Sequence, residues 1–422
     1  MTVVGLDDTD SRDRGSCTTA VATRLATALQ ERGHRVRRPV LVRCNPAVPH
    51  KTRGNAAVAV PTDAPPAEAL AVARSTVSAH AVTDDPDTSP GVVVAPNAPT
   101  DVPDDVAEFA RAAVRDRLDV ADAERRLSAH DYRSAAWDGG RGRIGALAAV
   151  GARAAFSDWT VELIAYRRPD RVGTDREVDR AALFAAADAH YPAAWDTVDR
   201  GAGEAVCVPH TPGPVLYGIR GDDPGAVRAV ASAAEDEPVA GATLFRTNQG
   251  TDAHLRSAAV GEVRDGRAYR VSGEVVAAPE TREGGHVFLT VAADGDRLDC
   301  VAFEPTKRFR DRVRALRAGD RITVCGEVSD GTLKLEKFAV RDLVRTAPAT
   351  PTCPDCGRTM ESAGADAGYR CRDCDTATDG PASRRLDRAL QRGWYEVPPR
   401  ARRHVAKPLV RGGFDAPVHP ER

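Results

Sequence analysis

Asp7, Asp8 and Asp10 follow the apolar run Val3-Val4-Gly5-Leu6 and precede Asp13, Gly15 and the run Ser16-Cys17-Thr18-Thr19. Carboxylates crowded this closely raise one another's pKa values unless a cation or hydrogen bonds offset the charge. Mg²⁺ bound to phosphates is one solution, since it takes one or two carboxylates and fills its other positions with water and phosphate. The hydroxyl run at the start of a helical pattern adds backbone N–H groups for an anion and a candidate nucleophile. A polar turn with Ser or Thr as helix N-cap uses the same residue types. Taken alone, the stretch leaves both readings open.

Other clusters carry chemistry of their own. Lys51-Thr52-Arg53-Gly54-Asn55 combines charge, hydroxyl and free backbone, which suits a phosphate-facing loop, although the Walker A spacing is absent. A plain basic surface loop has the same look. Gly140-Arg141-Gly142-Arg143-Ile144-Gly145 matches G-x-G-x-x-G in form. No strand precedes it, so a dinucleotide reading fails, leaving an anion site at a helix start or a glycine hinge. Arg246-Thr247-Asn248-Gln249-Gly250-Thr251-Asp252 is a polar cluster directly after a strand-like run and favours a binding site. Cys353, Cys356, Cys371 and Cys374 form two Cys-x₂-Cys pairs separated by fourteen residues. Four thiolates close a tetrahedron around structural Zn²⁺ and leave no open catalytic position.

The elements that must position these groups fall into several units. At 422 residues the chain is too long for one core. Its 42% hydrophobic and 28% charged residues are those of a globular protein, and no apolar run approaches the roughly 20 residues of a membrane span. With neither a basic region nor an apolar signal core at the N-terminus, a cytoplasmic location is expected. The net charge of −2 predicts no polyanion partner, yet Arg supplies 54 of the 59 basic residues. Arg suits phosphates and bases, and a GC-rich or high-salt genome gives the same bias.

Residues 1–150 read as β-α-β-β-α-β followed by helices over 104–118 and 120–136, an α+β sandwich. Residues 151–260 repeat the order with strands at 159–166, 205–209, 215–220 and 242–247, a ferredoxin-like signature. Within 266–346, five short strands with a helix between the third and fourth predict an OB-fold. The zinc ribbon spans 350–380, and a basic tail over 381–422 follows. That tail carries ten basic and four acidic residues, and with Trp394 and Tyr395 it fits RNA backbone contact plus stacking. A solvated tail is the plainer alternative.

Gly5-Leu6-Asp7-Asp8-Thr9-Asp10-Ser11, Gly15 and Cys17-Thr18-Thr19 resemble the opening of the archaeal tRNA 2-agmatinylcytidine synthetases. Arg43-Cys44-Asn45-Pro46 through Asn55, Gly140–Gly151, Glu162–Tyr166, Tyr217–Arg220 and Arg246–Asp252 continue the resemblance in order, and it runs on through the ribbon. Cys44 departs from the apolar residue expected there, and His50 from an aromatic; neither removes a proposed ligand.

The resemblance implies a multidomain α+β enzyme: a kinase-like catalytic domain, a ferredoxin-like domain, an OB-fold and a zinc ribbon. It implies ATP-dependent phosphorylation of the C2 oxygen of the wobble cytosine in the CAU anticodon of an isoleucine tRNA. Agmatine then displaces phosphate, and the products are agmatidine, AMP and phosphate. Asp7, Asp8, Asp10 and Thr18 are the expected catalytic residues, with Thr18 matching a phosphorylated threonine and Asp7 and Asp8 expected on Mg²⁺. Ser11, Gly15, Thr19, Lys51, Arg53 and Asn55 are expected around ATP, and Asn248, Gln249 and Asp252 around agmatine. Arg384, Arg385, Arg388 and Lys407 are expected on RNA. No membrane and no obligate protein partner is implied. A non-catalytic tRNA-binding protein, or a kinase acting on a small molecule, fits the residues by themselves.

Overall fold

The computed structural model describes residues 1–12, 15–49, 51, 54–211, 213–234, 237–364, 367–403 and 405–422. The N-terminal part runs β1 (Thr2–Asp7), α1 (Thr18–Glu31), β2 (Val40–Arg43), β3 (Ala56–Thr62), α2 (Pro66–His80), β4 (Gly91–Ala95), α3 (Asp104–Arg115), α4 (Val120–Ala129), β5 (Arg133–Ala136) and α5 (Arg143–Ala155). It continues through β6 (Thr160–Arg167), α6 (Arg180–Ala189), β7 (Ala194–Trp195), β8 (Val215–Gly221), α7 (Pro224–Ala233) and β9 (Val239–Thr247).

These strands form one nine-stranded sheet in the order β5-β4-β1-β3-β2-β9-β6-β8-β7. The two β-α-β-β-α-β runs therefore share a sheet, joined where β2 pairs parallel with β9, Val40 opposite Arg246 and Leu41 opposite Thr247. β1 is buried on both faces, which explains why it reads as a continuous apolar run. Val4 and Leu6 pack with Val21, Leu25 and Leu29 of α1 on one face. Val3 packs with Phe109 of α3 and Leu147 and Val150 of α5 on the other. A Cβ on Gly5 would strike the Ala146 carbonyl, so this glycine lets α5 lie directly on β1.

Three element boundaries differ from expectation. The helix expected to Ala136 stops at Ala129, because His130 caps it and Asp131 takes a left-handed φ of 50°, after which β5 pairs with β4. The strand expected over 205–209 is absent; β7 holds the sheet edge instead, and Cys207 only bridges it through Thr197 O and Gly218 N. The run from Val36 makes one isolated bridge, Val36 opposite Thr62, and becomes a strand only at Val40, since Pro39 has no N–H to give a ladder.

The next part is a closed barrel. β10 (Leu255–Ser257) lies beside β11 (Arg267–Val275), and β12 (Glu280–Thr281) beside β13 (Val287–Ala293). β14 (Asp296–Ala302), α8 (Arg308–Arg314), β15 (Arg321–Ser329) and β16 (Thr332–Asp342) complete it. β11 pairs with β13 and β15, β13 with β14, and β16 with both β14 and β15, so five strands close with no free edge. Phe309, Val313, Ile322, Val324 and Phe338 fill the interior.

The ribbon rises on β17 (Thr346–Ala349) and carries β18 (Glu361–Ser362), β19 (Tyr369–Arg370) and β20 (Ala377–Thr378), returning on β21 (Ala382–Arg385). The tail then packs back. β22 (Gly393–Glu396) pairs with β16, and β23 (Val418–His419) with β22. This corrects the stacking role expected of Trp394 and Tyr395. Trp394 has no exposed surface, and Tyr395 is stacked between Phe338 at 5.3 Å and His419 at 4.5 Å. No helix among the described residues is long and apolar enough to cross a membrane.

Candidate active site

Asp7 ends β1 in the middle of the sheet, and Asp8 takes a left-handed φ of 57°, a conformation Asp tolerates better than most residues. The chain leaves the sheet there, and Ser11 N donates to Gly15 O at 3.0 Å to close the loop. Gly15 has φ of 86°, a left-handed turn that returns the chain to the start of α1. Asp13, inside that loop, lies outside the described residues.

Thr18 is the first residue of α1, and its hydroxyl oxygen accepts from Thr9 N at 3.4 Å and Thr9 Oγ1 at 3.1 Å. It donates to Asp10 Oδ1 at 3.3 Å. No residue in the first turn of α1 is acidic, and Asp10 from the loop supplies the carboxylate at this helix start, where the positive end of the dipole favours negative charge.

The G-x-G-x-x-G segment meets the same loop. α5 begins at Arg143, and a Cβ on Gly142 or Gly145 would collide with the backbone of Asp7 and Gly91 or with the Asp7 carboxylate. These glycines therefore let a second helix start reach the aspartates. Arg141 Nη2 donates to Asp8 Oδ2 at 3.2 Å, and Ser89 N donates to the same oxygen at 3.1 Å. Arg141 was not singled out in the sequence; its place inside the glycine motif was the available signal.

Burial holds the Asp7 carboxyl well above the usual carboxylate range, with Asp8 and then Asp10 adding to it. Burial raises Asp8 to about 6, while Arg141 and the Ser89 N–H pull it back. Paired carboxylates under that strain favour a cation or a protonated partner.

The aspartates open into a cavity of about 540 Å³ between the two halves of the sheet. Asp7, Asp8, Asp10, Thr18 and Thr19 line one end, and Lys51 and Asn55 line its wall. Ser11 and Gly15 shape the loop without lining the cavity; Ser11 Oγ hydrogen-bonds Asp85. Arg53, with His50 and Thr52, lies outside the described residues. The opposite wall carries Arg43, Glu162, Arg176, Cys207, Gly218 and Arg220. Glu162 is buried, and its signal was a lone carboxylate within the apolar run Val161–Ala165.

The residues expected around agmatine have protein partners in this structure. Asn248, Gln249 and Asp252 do not line the cavity. Asn248 clamps the Arg43 backbone, accepting from its N at 2.8 Å and donating to its O at 3.0 Å. Gln249 donates to Glu162 Oε2. Asp252 is consumed by Lys337 Nζ, 2.8 Å from both its oxygens, and by Arg270 at 3.3 Å, so its carboxylate ties the sheet to the barrel.

The basic residues expected on RNA divide. Arg384 and Arg385 are exposed on β21. Arg388 is instead buried in a two-pronged pair with Asp320, its side chain 2% exposed, and has no face for RNA. Lys407 is half-buried, its backbone N bound to Asp252 and its ammonium 5.7 Å from the Phe414 ring.

The donor atoms of Cys353, Cys356, Cys371 and Cys374 all lie within 4.8 Å of one another, so the set fits tetrahedral Zn²⁺. It is the one such group of three or more potential ligands among the described residues. Asp7, Asp8 and Asp10 do not form such a group.

Comparison with known proteins agrees with this layout. Residues 3–138 match the model of the TiaS TCKD domain, 140–254 the TiaS FLD domain, and 350–390 the TiaS C-terminal zinc ribbon domain. The isoleucine-tRNA 2-agmatinylcytidine synthetase TiaS of Haloquadratum walsbyi is 53% identical over 462 residues, covering 100% of both chains. The solved complex of TiaS with its isoleucine tRNA and ATP is similar at a TM-score of 0.89 and 40% identity, covering 100% of this chain and 99% of that one. The complex of TiaS with the same tRNA, AMPCPP and agmatine is similar at a TM-score of 0.85 and 38% identity, with 100% and 99% covered. Similarity of this extent places the chain in the isoleucine-tRNA 2-agmatinylcytidine synthetase family.

Proposed function

We propose that this chain is an ATP-dependent ligase that joins agmatine to C2 of the wobble cytidine in the CAU anticodon of an isoleucine tRNA. The observation that carries the reading is the convergence of Asp7, Asp8, Asp10 and Thr18 with two helix starts in one cavity. Such a site suits a triphosphate: backbone N–H groups and Lys51 for its oxygens, and carboxylates for the cation that travels with it. Asp7 and Asp8 are the residues that would hold Mg²⁺, whose chemistry there is to neutralise charge on the transferring phosphoryl group.

The chain's own groups account for the rest. The C2 oxygen of cytosine is a poor leaving group until it carries phosphate. The primary amine of agmatine then attacks C2, the C2–O bond breaks and phosphate leaves. AMP as product requires two phosphoryl groups to depart from ATP, one to the base oxygen and one to Thr18, from which water then releases it as phosphate to restore the hydroxyl. Asp10, hydrogen-bonded to the Thr18 hydroxyl, is placed to take its proton.

In this reading residues 1–150 are the kinase-like catalytic domain and 151–260 the ferredoxin-like domain. Residues 266–346 are an OB-fold, 350–380 the zinc ribbon and 381–422 the basic tail, in a protein that works in the cytoplasm. Arg384 and Arg385 supply RNA backbone contacts. The experiment is incubation with labelled agmatine, ATP, Mg²⁺ and the isoleucine tRNA. Label covalently attached to tRNA is expected; none, from protein that still binds the tRNA, overturns the reading. ATP turnover without tRNA would turn it toward a small-molecule kinase.

A further inference from the structure

The cavity that holds the aspartates is also lined by a charge cluster, Arg43, Glu162 and Arg220. Glu162 is 2% exposed and fixed on both oxygens: Arg220 Nε donates to Oε1 at 3.1 Å, and Gln249 Nε2 donates to Oε2. Arg43 Nη2 stands 4.0 Å from Glu162 Oε2, beyond hydrogen-bond range. Its Nε is buried with no hydrogen-bond partner among the described residues. A buried guanidinium nitrogen without an acceptor costs free energy unless a ligand or water meets it. Its position is set firmly all the same. Asn248 clamps its backbone on both sides, and His254 Nε2 lies 3.0 Å from its carbonyl oxygen.

With Arg43 and Arg220 beside the single carboxylate of Glu162, the cluster is net positive and disfavours a dication such as agmatine. A neutral molecule that offers acceptors to Arg43 and a donor to Glu162 satisfies both. The Watson–Crick edge of cytosine has that pattern, with O2 and N3 as acceptors and the N4 amino group as donor. Carboxylates accept from cytosine N4 in nucleic-acid recognition generally. Gly218 lets the Glu162 carboxylate lie against β8: a Cβ there would stand 2.8 Å from Oε1. Arg43 lines the same cavity as Asp10 and Glu162.

We propose that Arg43 and Glu162 read the target base. Arg43 donates to O2 and N3 of the flipped cytosine, Glu162 accepts from its N4 amino group, and O2 is thereby turned toward the phosphates. This rests on the ligase reading above. Uracil, with N3–H and O4 in those places, sets donor against donor and acceptor against acceptor. The enzyme then distinguishes cytidine from uridine by two side chains of the shared sheet.

The test compares tRNA transcripts bearing CAU and UAU anticodons, with the whole chain, ATP, Mg²⁺ and labelled agmatine. Glu162→Gln gives an amide that can face either base, and the cytidine-over-uridine ratio of kcat/KM is expected to fall by about 10- to 100-fold. Gly218→Ala displaces the carboxylate without removing its charge and is expected to lower the same ratio less, with the KM for agmatine unchanged. It serves as the second variant should Glu162→Gln fold poorly, and melting and ATP binding report folding in both. An equal loss on both transcripts, or a rise in the KM for agmatine alone, overturns the assignment. A wild-type protein that labels neither transcript instead defeats the ligase reading.

Discussion

Arg141 Nη2 and Asp8 Oδ2 meet at 3.2 Å although 133 residues separate them in the chain. One belongs to the glycine-rich start of a helix and the other to the turn after the first strand, so the contact sets helix start and aspartates in one frame. It also sets the charge state of Asp8, since burial raises that carboxyl to about 6 and Arg141 is the leading group that lowers it.

Arg141→Met should therefore move the acid limb of activity upward. With its cation gone, Asp8 takes its proton above pH 6, and more alkaline conditions are needed to ionise it. The pH profile of kcat/KM for ATP checks this. An acid limb left in place would mean that another group controls it.

Asp8→Asn should stabilise the ligand-free protein while abolishing ligation. The folded-state pKa of about 6 lies above the ordinary 3.8, so the unfolded chain holds fewer protons between these values. Stability on this account is greatest below pH 3.8 and is lost as pH rises through 6, by about 3 kcal/mol at pH 7. The melting temperature of the variant should exceed wild type by several degrees at pH 7 and match it near pH 4. ATP with Mg²⁺ should raise the melting point of wild type more at pH 7.5 than at pH 5.

Thr18→Val should remove protein-bound phosphate formed from labelled ATP, while Thr18→Ser retains it. The valine leaves Thr9 N and Thr9 Oγ1 without their acceptor, at a cost of about 1–2 kcal/mol. Phosphate persisting on the valine variant would place the acceptor elsewhere.

Zinc removal should unfold the ribbon and little else. Among the described residues its apolar core is Cys353, Met360 and Cys371 with Tyr369 against them, too small to stand without the metal. Hydrogen exchange after chelation should show loss of protection confined to 350–380. tRNA affinity should fall and ATP binding hold.

Arg384→Ala and Arg385→Ala should each lower tRNA affinity, and with it the salt slope by about one unit, with no change in melting. Arg388→Ala should do the reverse. It leaves the buried Asp320 carboxylate unpaired, and barrel stability should drop by about 3–5 kcal/mol. A salt slope altered by Arg388→Ala in still-folded protein would return that residue to the RNA surface.

The sequence by itself determined the parts whose chemistry is local. The four cysteines needed only their spacing and the barrel strands only their alternation, whereas Asp7, Asp8, Asp10 and Thr18 stood out by adjacency with two readings still open. Tertiary structure decided what depends on partners far along the chain. Pairing of β2 with β9 merged two expected sandwiches into one sheet and created the cavity between them. Arg388 and Arg384 look alike as letters, and only packing shows that Asp320 buries one while the other meets solvent. Glu162, Arg43 and Arg220 come from three strands, so no spacing could join them. Burial and charge pairing are set by which surfaces meet, and that is decided when the sheet closes over the chain.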